Sequence, residues 1–310
     1  MKAIRFHRYG DADELRLEDC PKPEPAAGEV LLKVTAAAVN PVDTQVRRGD
    51  YQAVLPLTLP FIPGWDVSGV IEDVGEGVTG HRAGQAVYAM APIGRQGTYA
   101  GYVSVPANAV ARAPKSVPLE IAAGAPMAAL TAWSALFDVA QVKSGQSVLV
   151  HAGAGGVGLF AIQLARRAGA HVITTASEAN HPLLLELGAH EVIDYRRADF
   201  TAGLGGLDVV LDTVGGDTRE RSWPVLRKGG VLVGIAVPPT DQATGDRHGV
   251  RAAQVYVAPS GERLTELAAL IESGQVKIIV HDRLPLAKAA EAHRISEGRH
   301  ARGKIILAAG

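Results

Sequence analysis

Gly153, Gly155 and Gly158 are spaced as G-x-G-x-x-G between two segments of different period. Before them, Val148 to Val150 reads as a short buried strand; after them, Leu159 to Arg167 carries apolar residues at helical spacing. His171 to Thr175 is a second β-branched run, so the unit is strand, tight loop, helix, strand. Glycines in that loop let the backbone turn sharply and come close to a pyrophosphate. The helix that follows offers free N–H donors and roughly +0.5 of partial charge at its N-terminus. A ligand-free βα turn also uses glycine, but the complete βαβ context favours a dinucleotide site.

The end of the second strand bears on which dinucleotide. An NAD site usually places a carboxylate there for the ribose hydroxyls, whereas this strand ends Thr175, Ala176, Ser177. Ser177 can donate to a 2′-phosphate and is small enough to leave room for it. Arg196 and Arg197, after the apolar run Glu191 to Tyr195, are possible phosphate partners, while Glu178 argues the other way. A charge-assisted bond is worth about 1.5–3 kcal/mol. NADPH is favoured over NADH, with helix capping as the alternative role for Ser177.

These residues sit in a 310-residue chain of 47% hydrophobic and 20% charged residues, which suggests two soluble domains. A net charge of −1 gives no basic surface for nucleic acid and no polybasic membrane patch. The single cysteine, Cys20, excludes an internal disulfide framework and a multi-cysteine metal site. No signal peptide or membrane-length apolar run is present, so a cytoplasmic location is expected.

From Met1 to about Pro118 the sequence is strand and turn, with strands expected at Lys2–Phe6, Leu15–Leu17, Val30–Val39, Val67–Val74, Gln85–Tyr88 and Thr98–Val105. Leu119 to Ala140 reads as helical. Beyond the glycine unit, Leu207–Leu211, Val231–Ile235 and Gln254–Val257 continue the alternation toward a six-stranded parallel sheet. The polar Ala236–Arg251 segment reads as a mobile covering loop. Helices at Glu262–Ser273 and Leu286–Glu297 and a strand at Lys304–Leu307 return to the first domain. The expected fold is α/β: a Rossmann doubly wound parallel sheet over 119–257, plus a β-rich, partly barrelled domain from 1–118 and 258–310. Ligands of open α/β sheets bind beyond the strands' carboxyl ends, which puts the reaction in the cleft between the two domains.

Seven stretches carry a resemblance across essentially the whole chain: AAAVNPVDT (36–44), PGWDVSG (63–69), GTYAGYV (97–103), LTAW (130–133), HAGAGGVG (151–158), LDTVGG (211–216) and RGKIIL (302–307). The chain resembles medium-chain dehydrogenase/reductases of the zinc-independent, NADPH:quinone oxidoreductase (zeta-crystallin-like) branch. The resemblance implies a GroES-like first domain. Where zinc-dependent relatives have a first cysteine this chain has Asn40 or its neighbours, and where they have Gly-His-Glu it has Gly64, Trp65 and Asp66. An indole cannot ligate zinc, so no metal is expected and hydrogen bonding must do the Lewis acid's work.

That requirement points to Asn40, Asp43 and Tyr51. The resemblance puts Asn40 beside the nicotinamide, its amide free to bind a substrate carbonyl; Asn40 and Asp43 are alternatively helix caps. Tyr51 is a proton relay or a wall residue. The resemblance further implies that Gly155, Gly156 and Val157 meet the pyrophosphate, that Thr131, Val214, Ile235 and Val237 flank the nicotinamide side, and that Tyr195 lies at the adenosine end. Where relatives often have a lysine for the 2′-phosphate, Asn180 and His181 stand here, which points to a weaker NADPH preference. The expected activity is reduction of a quinone, or of the C=C bond of an enone or enal, by a homodimer. A zinc-free alcohol or aldehyde oxidoreductase and an NADPH-binding, crystallin-like protein without turnover are the alternatives.

Overall fold

The structure, a computed structural model, describes Met1–Gly310. The chain divides into two compact units, Met1–Leu130 with Ala258–Gly310, and Thr131–Val257. The first begins with strands β1 (Lys2–Arg5), β2 (Arg16–Asp19) and β3 (Glu29–Val39), then helix α1 (Pro41–Arg48). Strands β4 (Asp66–Val74), β5 (Ala86–Met90), β6 (Tyr102–Pro106) and β7 (Val110–Arg112) follow, and then helices α2 (Leu119–Ala122) and α3 (Pro126–Trp133).

The second unit runs β8 (Ser147–Val150), α4 (Gly156–Arg167), β9 (His171–Ala176), α5 (His181–Glu186), β10 (Glu191–Asp194) and β11 (Leu207–Asp212). It continues through α6 (Gly216–Ser222), β12 (Leu226–Gly234), α7 (Gln242–His248) and β13 (Arg251–Gln254). The first unit is completed by α8 (Gly261–Glu272), β14 (Val280–Pro285), α9 (Ala289–Glu297) and β15 (Lys304–Ala308).

In the first unit β3 is the organising strand, because its residues are buried along almost its whole length. It pairs antiparallel with β4, β6 and β15 in a seven-stranded sheet. Ala36 and Ala38 of β3 pack against Ala123 and Ile306, small side chains that let the helical segment lie close to the sheet.

In the second unit six strands are all parallel, in the order β10-β9-β8-β11-β12-β13. The chain moves outward from β8 to β10 and then returns to start again at β11. This reversal beside β8 is the point where a doubly wound sheet opens its crevice for a ligand. Leu149, Val210 and Leu232 of three adjacent strands form the core with Phe200 and Trp223.

The structure differs from the sequence expectation at five points. The helical stretch from Leu119 is broken at Gly124–Pro126, and after Trp133 it widens into a π-turn over Ser134–Val139. The division between units falls within α3, so α2 belongs with the first unit. The segment read as a loop contains α7, started by the Asp241 carboxylate, which accepts the Ala243 and Thr244 N–H groups, and closed by left-handed Gly249. The last strand of the parallel sheet begins earlier than expected, at Arg251, directly after that cap. Strand β14 escaped the pattern because its VHDRLP sequence is only half-buried and carries charge. No helix is long and apolar enough to cross a membrane.

Candidate active site

The loop from His151 to Gly155 joins β8 to α4 at the sheet's reversal point. Gly153 in the loop and Gly158 in the first turn of α4 are required by contact. A Cβ on Gly153 would sit 2.1 Å from Thr174 Oγ1, and one on Gly158 would sit 2.5 Å from the Ala152 carbonyl oxygen. The loop and helix are therefore packed at glycine distance. Gly155 is the N-cap of α4 and has no side chain to take up the N–H groups that follow. Those of Gly156 and Val157 lie in the first helical turn, where no carbonyl precedes them to accept. The structure thus fits a pyrophosphate group at the place the sequence indicated.

His151 holds this loop from beneath, a role the sequence reading did not assign. The ring is buried, with Nε2 2.9 Å from Ser222 Oγ and Nδ1 3.2 Å from Thr175 Oγ1. Ser222 donates its own proton to the Thr218 carbonyl, so it must accept from His151 Nε2–H. Nδ1 is then the acceptor, and the Thr175 hydroxyl donates to it while accepting from the Ala152 N–H. His151 is neutral in this arrangement, and burial lowers its pKa to about 4.

Asp212, at the end of β11, is a second unassigned organiser. One oxygen accepts the Val214 and Gly215 N–H groups at 3.0 and 2.8 Å, and the other accepts Arg219 Nε at 2.6 Å. Arg219 donates onward to the carbonyls of Ala236 and Pro238. This buried ion pair fastens the turn after β11 to the turn after β12. Val214, Ile235 and Val237, expected near the nicotinamide, therefore share one end of the sheet, with Val214 and Val237 about half exposed. Thr131, expected with them, is buried within α3.

At the end of β9, Ser177 makes no side-chain cap bond to the short turn that follows. It accepts from Asn180 Nδ2 at 3.0 Å and keeps its hydroxyl proton to donate. Arg197 lies 2.8 Å from Glu178, so the carboxylate that argues against NADPH is paired with one of the two candidate guanidinium groups. Arg196 lies over the exposed ring of Tyr195, 5.7 Å from its centre.

In the first unit, Asn40 ends β3 and starts α1, with Pro41 at the first helical position, where its missing N–H costs nothing. Its backbone N–H donates to Asp43 at 2.9 Å. Asn40 and Asp43 together form the capping box of α1. In the Asn40 side chain, Nδ2 donates to Asp66 Oδ2 at 2.9 Å, and Oδ1 accepts from the Lys304 ammonium. Lys304 also pairs with Asp66 at 3.1 Å, both almost fully buried, and the other Asp66 oxygen accepts the Met127 N–H at 2.7 Å. Asp43 is turned into the protein: besides the Asn40 N–H it accepts the Tyr99 hydroxyl at 2.7 Å. Tyr51 lies beyond Gly49, which closes the far end of α1, and its hydroxyl is 3.4 Å from Gln45 Oε1. Asn40 and Asp43 are brought together, and Tyr51 sits at the other end of the helix.

Behind Asp43 is a buried polar chain. His293 Nε2 lies 3.3 Å from the Tyr99 hydroxyl, and its Nδ1 lies 3.5 Å from Arg47, which pairs with Glu297. Burial pushes the Asp43 carboxyl up to about 7, against the Asn40 and Tyr99 hydrogen bonds and the Lys304 charge, with Asp66 adding to the rise. Burial lowers His293 to about 3, aided by the Arg47 charge.

These shifts have opposite signs in stability. Between their folded pKa values and about 6.5, the histidines bind a proton only when unfolded, so each costs up to about 1.4 kcal/mol per pH unit as pH falls. Asp43 binds a proton in the folded state between 3.8 and about 7 and returns a similar slope as pH falls. Denaturant unfolding between pH 6.5 and 4.5 should therefore show a steeper acid loss in Asp43→Asn than in the wild type. His151→Gln should show a shallower one. Parallel profiles for all three would mean that these groups do not titrate as their burial requires.

Two family models match the chain: "Alcohol dehydrogenase GroES-like domain" over residues 26–115, and "Zinc-binding dehydrogenase" over residues 187–307. A quinone oxidoreductase of Rattus norvegicus is 34% identical over 326 aligned residues, covering 99% of this chain and 97% of that protein. A 2-methylene-furan-3-one reductase of Solanum lycopersicum is 36% identical, covering 99% of this chain and 79% of that protein. Among solved structures, the Escherichia coli quinone oxidoreductase complexed with NADPH superposes with a TM-score of 0.90 at 30% identity, covering 99% of this chain and 100% of that one.

Proposed function

The chain belongs to the medium-chain dehydrogenase/reductase superfamily, in its quinone oxidoreductase branch, and on that premise we propose that it reduces quinones or the C=C bond of α,β-unsaturated carbonyls without zinc. It is an oxidoreductase that uses NADPH, and the bound cofactor supplies the hydride. The observation that carries the reading is the α4 N-terminus, whose first N–H groups stand unshielded at the glycine loop.

The chain's own residues divide the remaining work. Gly155, Gly156 and Val157 receive the pyrophosphate, and Ser177 donates to the 2′-phosphate. Asn40 donates an amide N–H to the carbonyl oxygen of the acceptor, where negative charge grows during reduction. Asp43 fixes the backbone from which Asn40 projects. Tyr51, whose hydroxyl donates to Gln45 Oε1 at 3.4 Å, has a proton to return to the product. Zinc independence is supported by the donor chemistry: Asp66 is occupied by an ammonium, an amide and a backbone N–H, and its neighbour Trp65 offers no ligand.

The test is NADPH oxidation with quinones, enones, enals and simple aldehydes, before and after exhaustive chelation. Turnover with quinone or enone that survives chelation is expected. NADPH binding with no acceptor reduced, or activity lost with the metal, would sink the proposal. Asn40→Ala should lower kcat about a hundredfold, as loss of an oxyanion donor does, at unchanged NADPH affinity by fluorescence titration.

A further inference from the structure

We infer that Lys304 and Asp66 are positioning residues for the reduction, together fixing which end of the Asn40 amide is offered to the acceptor. The inference rests on reading Asn40 as the donor to the acceptor's carbonyl. Three segments distant in sequence meet here: the end of β3, the start of β4 and the start of β15. An ammonium can only donate and a carboxylate can only accept. The Asn40 atom facing Lys304 is therefore its oxygen, and the one facing Asp66 is its nitrogen. The 180° flip open to an exposed asparagine would here set donor against donor and acceptor against acceptor.

The amide nitrogen has two hydrogens. One is held by Asp66 at 2.9 Å, and the other has the Ala38 carbonyl at 3.5 Å, too far for a good bond. One N–H is thus left to give. The cation on Oδ1 draws electron density from the amide and makes that remaining N–H a stronger donor. Without Lys304 the amide can rotate and present its oxygen, which repels a developing oxyanion. Asp66 alone still disfavours the flipped amide, whose oxygen would face its carboxylate, but without the cation opposite the group is held at one end only.

Steady-state kinetics on Asn40→Ala, Lys304→Met and the double variant, with the best acceptor of the wild type, test the inference. Lys304→Met is expected to lower kcat roughly tenfold to a hundredfold, with the KM for NADPH unchanged. The double variant should be no slower than Asn40→Ala alone. Because Lys304→Met leaves a buried carboxylate unpaired, Lys304→Met/Asp66→Asn is made beside it; asparagine at 66 still accepts the Met127 N–H, and the same loss of kcat is expected. Wild-type kcat per folded molecule in either lysine variant, or a double variant whose losses multiply, overturns the inference while leaving an impaired Asn40→Ala intact. Full activity in Asn40→Ala overturns the reading beneath it.

Discussion

A Ser177→Asp variant is expected to prefer NADH. The side chain stands at the tip of β9, half-buried, with its hydroxyl proton uncommitted and Asn180 donating to its oxygen. Replacing it with a carboxylate removes the proposed donor to the 2′-phosphate, sets charge against charge, and supplies an acceptor for the ribose hydroxyls that NADH carries. Losing a charge-assisted bond costs about 1.5–3 kcal/mol, and the bond gained with NADH is of similar size. The ratio of affinities should swing by roughly a hundredfold to ten-thousandfold. Glu178→Gln acts in the opposite direction, because Arg197, paired with Glu178 at 2.8 Å, is released toward the phosphate. That pair is well exposed, so its own strength is small and the expected gain in NADPH affinity is only a few-fold. Fluorescence titration of both coenzymes against the three proteins reads the effect. Unchanged selectivity in Ser177→Asp would remove Ser177 from the phosphate site.

What the sequence made legible follows from how locally each feature is encoded. The glycine loop is written within six residues, and strand, loop and helix appear in the structure where their periods put them. The partners of Asn40 are another matter. Lys304 is 264 residues from Asn40 and 238 from Asp66, and no local pattern marks a lysine that ends up buried. Its place in RGKIIL, between a turn and an apolar strand, was the one available signal. Asp43 as a cap of α1 was one of the two roles its position allowed, whereas its bond to Tyr99, 56 residues away, is shown only by the folded sheet. Helix α7 was hidden for a different reason: it is short and polar and has a glycine at its centre, so only its caps, Asp241 and Gly249, betray it. His151 stood inside the quoted motif, yet its role depends on Ser222, brought near by α6.

Substitutions in the glycine loop should separate two demands that the spacing combines. At Gly158 an added Cβ meets the Ala152 carbonyl at 2.5 Å and the Gly153 backbone at 2.8 Å, and neither can step aside as a flexible side chain would. The loop must lift from the helix, and the first-turn N–H groups then lose their common aim. Losing two charge-assisted bonds of about 1.5–3 kcal/mol each predicts a fall in NADPH affinity of roughly a hundredfold to ten-thousandfold in Gly158→Ala, with a lower thermal midpoint even without ligand. At Gly155 the added Cβ meets only the Ala152 carbonyl at 3.2 Å, and the backbone there is extended, so Gly155→Ala should fold with almost the wild-type midpoint. On the proposed assignment its methyl stands in the way of the pyrophosphate, so its NADPH affinity should still drop at least tenfold. Thermal unfolding with and without NADPH distinguishes the cases. The wild type gains a shift on adding cofactor, Gly155→Ala keeps its midpoint and loses most of the shift, and Gly158→Ala loses both. A full cofactor shift in Gly155→Ala would mean that the pyrophosphate does not rest on this loop, and the assignment of Gly155, Gly156 and Val157 would fall with it.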